Sequence, residues 1–260
     1  MYLSPPPFAK HPGLFRPGRA GTGPGGPERA PGAGSGPGQV VPTYNEGVDA
    51  PAPRLTLDKL LEAADNALRA LFAPAAAVRS PPGLPEPPAL AAAQRAHVAG
   101  LMRVNHAGEI AAQALYHGQA LLARGADTRA FLVRAAAEEG DHLAWCEQRL
   151  RELGDRPSLL NPLWYAGSFA IGAAAAAVSD GLSLGFVTET ERQVEGHLAQ
   201  HLRQLPEDDQ RSRRILETMQ SDEAGHADAA LAAGAVSLPL PLRALMGWTS
   251  KLMTRTAYWL

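Results

Sequence analysis

The chain has 260 residues and sets 24 Lys and Arg against 26 Asp and Glu, a formal net charge of −2, so it lacks the basic field that holds nucleic acid. Its hydrophobic content of 45% is enough to close a sizeable core, and one folded domain is expected. The lone cysteine, Cys146, excludes an internal disulfide and any Cys-x-x-Cys zinc or redox motif, which points to a reducing compartment.

Residues 1–53 are dominated by Pro, Gly, Ala and Ser, as in "RPGRAGTGPGGPERAPGAGSGPGQ", and are expected to be a disordered tail ahead of a folded domain over 54–260. The tail has no continuous apolar stretch of the kind a secretory signal needs. From Leu55, "LTLDKLLEAADNALRALF" places apolar residues at helical spacing, with Thr56 or Asp58 as the start signal. Prolines break the pattern in "APAAAVRSPPGLPEPP". A long helix is expected from about Pro88 to Arg124, and a second, capped by Asp127 or Thr128, to about Leu153–Gly154. The run from Leu163 to Val187 carries one charge, Asp180. It is long enough to span a bilayer, but it is rich in Ala and Gly and interrupted by "SDG", which favours a buried or interface-lying crossover. A third long helix follows from about Asp180 to Leu205, and a fourth runs from "PEDD" to about Gly234. Strand and hairpin signals are absent, so the fold is expected to be all-α.

Within the second helix, "AEEGDHL" puts Glu139 and His142 three residues apart, on one helix face. One such pair is common by chance. "SDEAGHA" repeats it, and Glu223 and His226 both lie 84 residues after their counterparts. A further glutamate precedes each pair on the neighbouring helix: Glu109 lies 30 residues before Glu139, and Glu191 lies 32 before Glu223. Each gap suits a run up one helix and a return to the same level on its antiparallel partner. Four carboxylates and two histidines without thiolates suit iron or manganese. One Glu from each of two helices plus Glu-x-x-His from each of two others is also the inventory by which ferritin-like di-metal carboxylate bundles are described, so that match is a resemblance.

The neighbouring residues have plainer readings. Glu138 and Asp222 each precede a ligand glutamate, and each either hydrogen-bonds a ligand histidine from behind or lies on a solvated face. Asp141, Glu189 and Glu195 fall off the shared face and are expected at solvent or at helix caps. His106 is a candidate ligand without a counterpart, since the matching position is Thr188. Cys146 reads as a small core residue.

The stretches "LMRVNHAGEIAAQALYHGQALLAR", "AAAEEGDHLAWCEQRLRELGDRPSLLNPLWYAGSFAIGA", "GFVTETERQVEGHL" and "MQSDEAGHADAALAAGA" resemble the bacterial demethoxyubiquinone hydroxylase family, over about Leu55 to Leu260. The resemblance implies a ferritin-like four-helix bundle with an apolar crossover helix and extra amphipathic helices at both ends. It implies a monooxygenase of ubiquinone biosynthesis with two iron ions on Glu109, Glu139, His142, Glu191, Glu223 and His226. Dioxygen would be the co-substrate, an external donor would supply two electrons, and His197 would assist proton and electron transfer. The substrate would be a polyprenylated demethoxyubiquinol. Its bilayer location implies peripheral attachment to the cytoplasmic face of the cell inner membrane, with ubiquinone-biosynthesis helper proteins as candidate partners. The crossover would line a channel for the tail. "LPLPLRALMGWTSKLMTRTAYWL", with Arg243, Lys251 and Arg255, would lie in the membrane interface. An iron-storage protein would share the ligands but would need no lipid-facing segments. The Pro/Gly-rich tail departs from the family's pattern.

Overall fold

The computed structural model describes residues 55–82 and 90–260; the tail expected over residues 1–53 lies outside them. Seven helices and no strand occur among the described residues: α1 (Leu57–Phe72), α2 (Ala92–Leu122), α3 (Ala126–Glu152), α4 (Asn161–Val178), α5 (Asp180–Gln204), α6 (Gln210–Ala232) and α7 (Leu240–Ala257).

Antiparallel hairpins α2–α3 and α5–α6 form the bundle, and α4 crosses between them. Two apolar clusters close its ends. One gathers Leu101, Met102, Trp145, Leu150, Leu198 and Leu216; the other gathers Leu115, Tyr116, Leu132, Val187 and Ala230. The charged residues discussed below lie between these clusters along every helix. Burying such apolar side chains contributes about 1.5–3 kcal/mol each, which helps to offset a polar layer in mid-bundle.

Short-range chemistry sets the helix boundaries. The Thr56 hydroxyl accepts from the Lys59 amide to start α1, and Asp209 accepts from the Ser212 amide to start α6. The expected cap of α3 by Asp127 or Thr128 is corrected: α3 begins at Ala126 with Gly125 as its cap residue. Asp180, from the start of α5, accepts from the amides of Arg124 at 2.9 Å and Gly125 at 2.7 Å. The carboxylate that serves this turn thus comes from the other hairpin, and local sequence could not reveal it.

The Ala/Gly richness of the crossover has a steric reason. A Cβ on Gly118 would collide with the Phe169 carbonyl, and one on Gly172 with the Leu115 carbonyl, so α2 and α4 meet almost backbone to backbone. No helix among the described residues is long and apolar enough to cross a membrane. α4 leaves Leu163, Ile171 and Val178 exposed, and α7 leaves Leu245, Trp248 and Leu252 exposed.

Candidate metal centre

Glu109 on α2, Glu139 and His142 on α3, Glu191 on α5, and Glu223 and His226 on α6 converge in the middle of the bundle. The four carboxylates and His142 are at most 2% exposed. Their ligand atoms fall into two groups: Glu109, Glu139, His142 and Glu223, and Glu139, Glu191, Glu223 and His226. Glu139 and Glu223 belong to both. Glu139 sets Oε2 3.2 Å from His142 Nδ1 and Oε1 3.2 Å from His226 Nδ1. Glu223 sets Oε1 3.1 Å from His142 Nδ1 and Oε2 3.4 Å from His226 Nδ1. Each therefore offers one oxygen to each half, the disposition of a bridging carboxylate. Glu109 and Glu191 stand at opposite ends, 3.7 Å from His142 Nδ1 and 3.9 Å from His226 Nδ1.

The donor atoms test whether cations fit. Glu139 Oε1, Glu191 Oε1, both Glu223 oxygens and His226 Nδ1 are buried without a hydrogen-bond partner. Unpaired buried carboxylates are costly, and here the unpartnered atoms face one another. Burial, reinforced by neighbouring carboxylates, raises the pKa of Glu109 and Glu191 well above the usual carboxylate range. Burial pushes Glu139 the same way, but the hydrogen bond with His142 and the adjacent His226 imidazole outweigh it and lower its pKa. Burial works against a charged His226, yet Glu139 and Glu223 push its pKa up to about 12. Such a cluster of interdependent protons is what two metal cations would replace. Hard oxygen and imidazole donors suit iron or manganese.

Behind the ligands, the two hairpins exchange partners. Asp222 of α6 lies 3.0 Å from His142 Nε2 of α3, and Glu138 of α3 lies 2.7 Å from His226 Nε2 of α6. Each carboxylate accepts from Nε2–H, which in the neutral ring leaves the Nδ1 lone pair toward the centre.

Two expectations are corrected. Asp141 is buried, not at solvent, and accepts from the Val78 amide at 2.6 Å and Arg79 Nε at 2.8 Å. Glu189 is also buried: it accepts from Gln193 Nε2 at 2.7 Å and Arg243 Nε at 2.8 Å, which fastens α7 to α5. Arg243 is thus committed to the protein. Lys251 and Arg255 form no ion pair among the described residues.

Glu195 is partly buried on α5 and belongs to neither ligand group. His106 is likewise in neither group; its Nδ1 lies 3.3 Å from Asn161 Nδ2, and burial lowers its pKa to about 4. Cys146 is a buried thiol 3.9 Å from the Met219 sulfur. His197 lies outside the ligand groups but lines a small cavity of about 30 Å³ together with Glu109, Gln193 and Ser250. Burial lowers its pKa to about 4, and its Nε2 has no hydrogen-bond partner. A larger apolar cavity of about 370 Å³ lies between α2, α4, α5 and α7, lined in part by Leu115, Trp164, Ile171, Phe186, Met246 and Met253. The two cavities share Gly108, Gln193, Val194, Ser250 and Met253, so the apolar space adjoins the smaller void at Glu109.

An all-helical bundle with Glu-x-x-His on two helices and a glutamate on each of two others defines the class of ferritin-like carboxylate–histidine proteins. Comparison with known proteins narrows the class. Residues 96–257 match the family described as ubiquinone biosynthesis protein COQ7. The 3-demethoxyubiquinol 3-hydroxylase of Cupriavidus taiwanensis is 56% identical over 78% of this chain and 99% of its own length. The enzymes of that name from Bordetella petrii and Xanthomonas campestris pv. campestris are 57% and 59% identical, over 92% and 94% of their lengths and 78% of this chain. The chain belongs to the COQ7 family.

Proposed function

We propose that this chain is a 3-demethoxyubiquinol 3-hydroxylase, a di-iron monooxygenase acting late in ubiquinone biosynthesis on a polyprenylated quinol. The observation that carries the reading is the sharing of Glu139 and Glu223 between two buried ligand groups that adjoin an apolar cavity.

Two iron ions, one held by Glu109 and His142, the other by Glu191 and His226, with Glu139 and Glu223 shared, would supply the two-electron activation of dioxygen. One oxygen atom would enter the ring and the other leave as water, with two electrons from an external donor and two protons. The protein's own residues shape where this happens. Asp222 and Glu138 hold the histidine rings in orientation. His197, kept neutral by burial beside Glu109, can accept a quinol proton at a free ring nitrogen and pass it on. The apolar cavity excludes water and receives the ring end of the prenyl tail, while the exposed leucines and Trp248 of α7, with Lys251 and Arg255, seat the mouth on the bilayer. That supports peripheral attachment to the cytoplasmic face of the inner membrane. The same cavity disfavours an iron-storage role, which needs no apolar access.

The test is quinone analysis of a deletion strain complemented with the wild type or Glu223→Ala. The wild type restores ubiquinone, and the variant accumulates the demethoxy precursor. Full ubiquinone with no precursor in the variant strain would overturn the proposal.

A further inference from the structure

The two halves of the centre use the same parts but are not enclosed alike. On the His142 side, Asp222 Oδ2 also meets Arg79 Nη1 at 2.9 Å. Arg79 turns its Nε to Asp141 at 2.8 Å, and Asp141 accepts from the Val78 and Arg79 amides at 2.6 and 3.3 Å. The Arg79 carbonyl accepts from Trp145 Nε1 at 3.0 Å, and its guanidinium lies 4.9 Å above the Trp145 ring. One residue is thus held from both backbone and side chain while it holds Asp222 against His142. On the His226 side, Glu138 has no ion pair other than His226 among the described residues. The contrast extends to solvent: His142 and Asp222 side chains are 0% and 25% exposed, whereas His226 and Glu138 are 13% and 54% exposed.

Arg79 lies before the stretch that matches the COQ7 family, in the irregular segment after α1. It touches no ligand carboxylate, but its Nη2 lies 3.4 Å from His142 Nε2, so it braces that ring directly as well as through Asp222. We infer that Arg79 is a positioning residue that makes the two metal subsites unequal, locking the ion on Glu109 and His142 and leaving the ion on Glu191 and His226 readily exchanged. The physical basis is rigidity. A metal leaves when its ligands swing aside, and the His142 ring is braced through Asp222 by a guanidinium that Asp141 and the Trp145 face hold in turn, although its outer side is 45% exposed. The His226 ring relies on a solvated carboxylate that water can replace. A fork-shaped guanidinium is needed because two acids, Asp141 and Asp222, must be met at once.

This rests on the metal-centre reading above, and the experiment separates the two. The full chain is loaded anaerobically with ferrous iron, and release to a coloured ferrous chelator is followed with time. Wild type is expected to release one ion per chain quickly and one at least about tenfold more slowly, the lower range for loss of an outer partner of a metal ligand. Arg79→Gln is expected to speed the slow phase toward the fast one. Arg79→Lys, which keeps the charge but not the fork, should fall between. Glu138→Gln, at an exposed position, should quicken only the fast phase. Thermal melting of each variant checks that it is folded. Release of both ions from wild type in one phase, or an unchanged slow phase in folded Arg79→Gln, overturns the inference while leaving the metal centre standing. A chain that takes up no iron overturns both.

Discussion

Between α2, α3, α5 and α6 the chain buries Glu109, Glu139, Glu191 and Glu223 at 2, 0, 1 and 1% exposure, whereas along α4, α7 and the C-terminus it leaves Leu163, Trp248 and Trp259 61, 63 and 79% exposed. The ordinary tendency is the reverse, with carboxylates outside and large apolar side chains inside. Neither region is satisfied by the polypeptide alone. The buried acids are kept from ionising together unless positive charge is supplied, and the exposed apolar surface meets water at a cost. These are two departures of opposite sign, joined by cavities that reach from the apolar flank to Glu109, and the proposed function fills the first with cations and the second with lipid.

The comparison breaks most readily at the interior. Glu139→Ala removes an oxygen from both ligand groups, so it is expected to lose both ions, with activity falling by more than the roughly 100-fold upper range for an outer partner. Glu109→Ala, which touches one group only, should keep close to one ion per chain. Metal analysis of the two purified variants decides between shared and separate roles.

A second, smaller effect sharpens the charge side. In the metal-free chain the pKa values of Glu109 and Glu191 stand above the ordinary carboxylate value of 4.5, and those of His142 and His226 above the ordinary imidazole value of 6.5. Groups with raised pKa bind protons more tightly when folded. Their contribution to stability is full below the unfolded value and fades as pH climbs toward the folded one. The opposite contribution from Glu139 is lost only below about pH 4.5, and that from His106, His117, His197 and His201, lowered by burial to about 4, 4, 4 and 3, is complete once the pH passes their unfolded value of 6.5, so both lie outside the range above about pH 7.5. The metal-free chain should therefore melt at a lower temperature at about pH 9 than at about pH 7.5. The loaded chain should reverse or flatten this trend, because metal binding favours deprotonated ligands. Parallel melting curves with the same slope in both forms would count against a common cation site.

The smallest effect is expected on the apolar flank. Trp248→Ser with Leu252→Ser removes exposed side chains, so stability should change by no more than about 0.5 kcal/mol per site. Binding to phospholipid vesicles should weaken several-fold, and KM for a long-tailed quinol should rise while kcat holds. An unchanged vesicle affinity would leave α7 as a docking helix only.

The bundle was legible in the sequence because its ligands recur at helical spacing and its helices are long, so periodicity and the 84-residue repeat reinforce each other. What escaped was long-range pairing. Asp141 looked like a solvent residue because nothing nearby marks Arg79, 62 residues earlier, as its partner. Glu189 is deceptive for the same reason, with Arg243 lying 54 residues away on α7. Glu138 and Asp222 admit two readings in sequence, since only folding shows that each crosses to the other hairpin's histidine. A charge on the far side of a helix is ambiguous until the element packed behind it is known.

Asp180 carries a consequence for how this chain tolerates insertions and deletions. By gripping the amides of Arg124 and Gly125, it pins the start of α5 to the α2–α3 turn. Every ligand on the two hairpins is then measured from that pin. One residue added between Asp180 and Glu191 would rotate Glu191 by about 100° and shift it about 1.5 Å along the axis, taking it out of its ligand group. The connections at 153–160 and 205–209 lie beyond both the pin and the ligands. Length variation is expected to collect there, while the helical distances from Asp180 to Glu191 and from Gly125 to Glu139 stay constant.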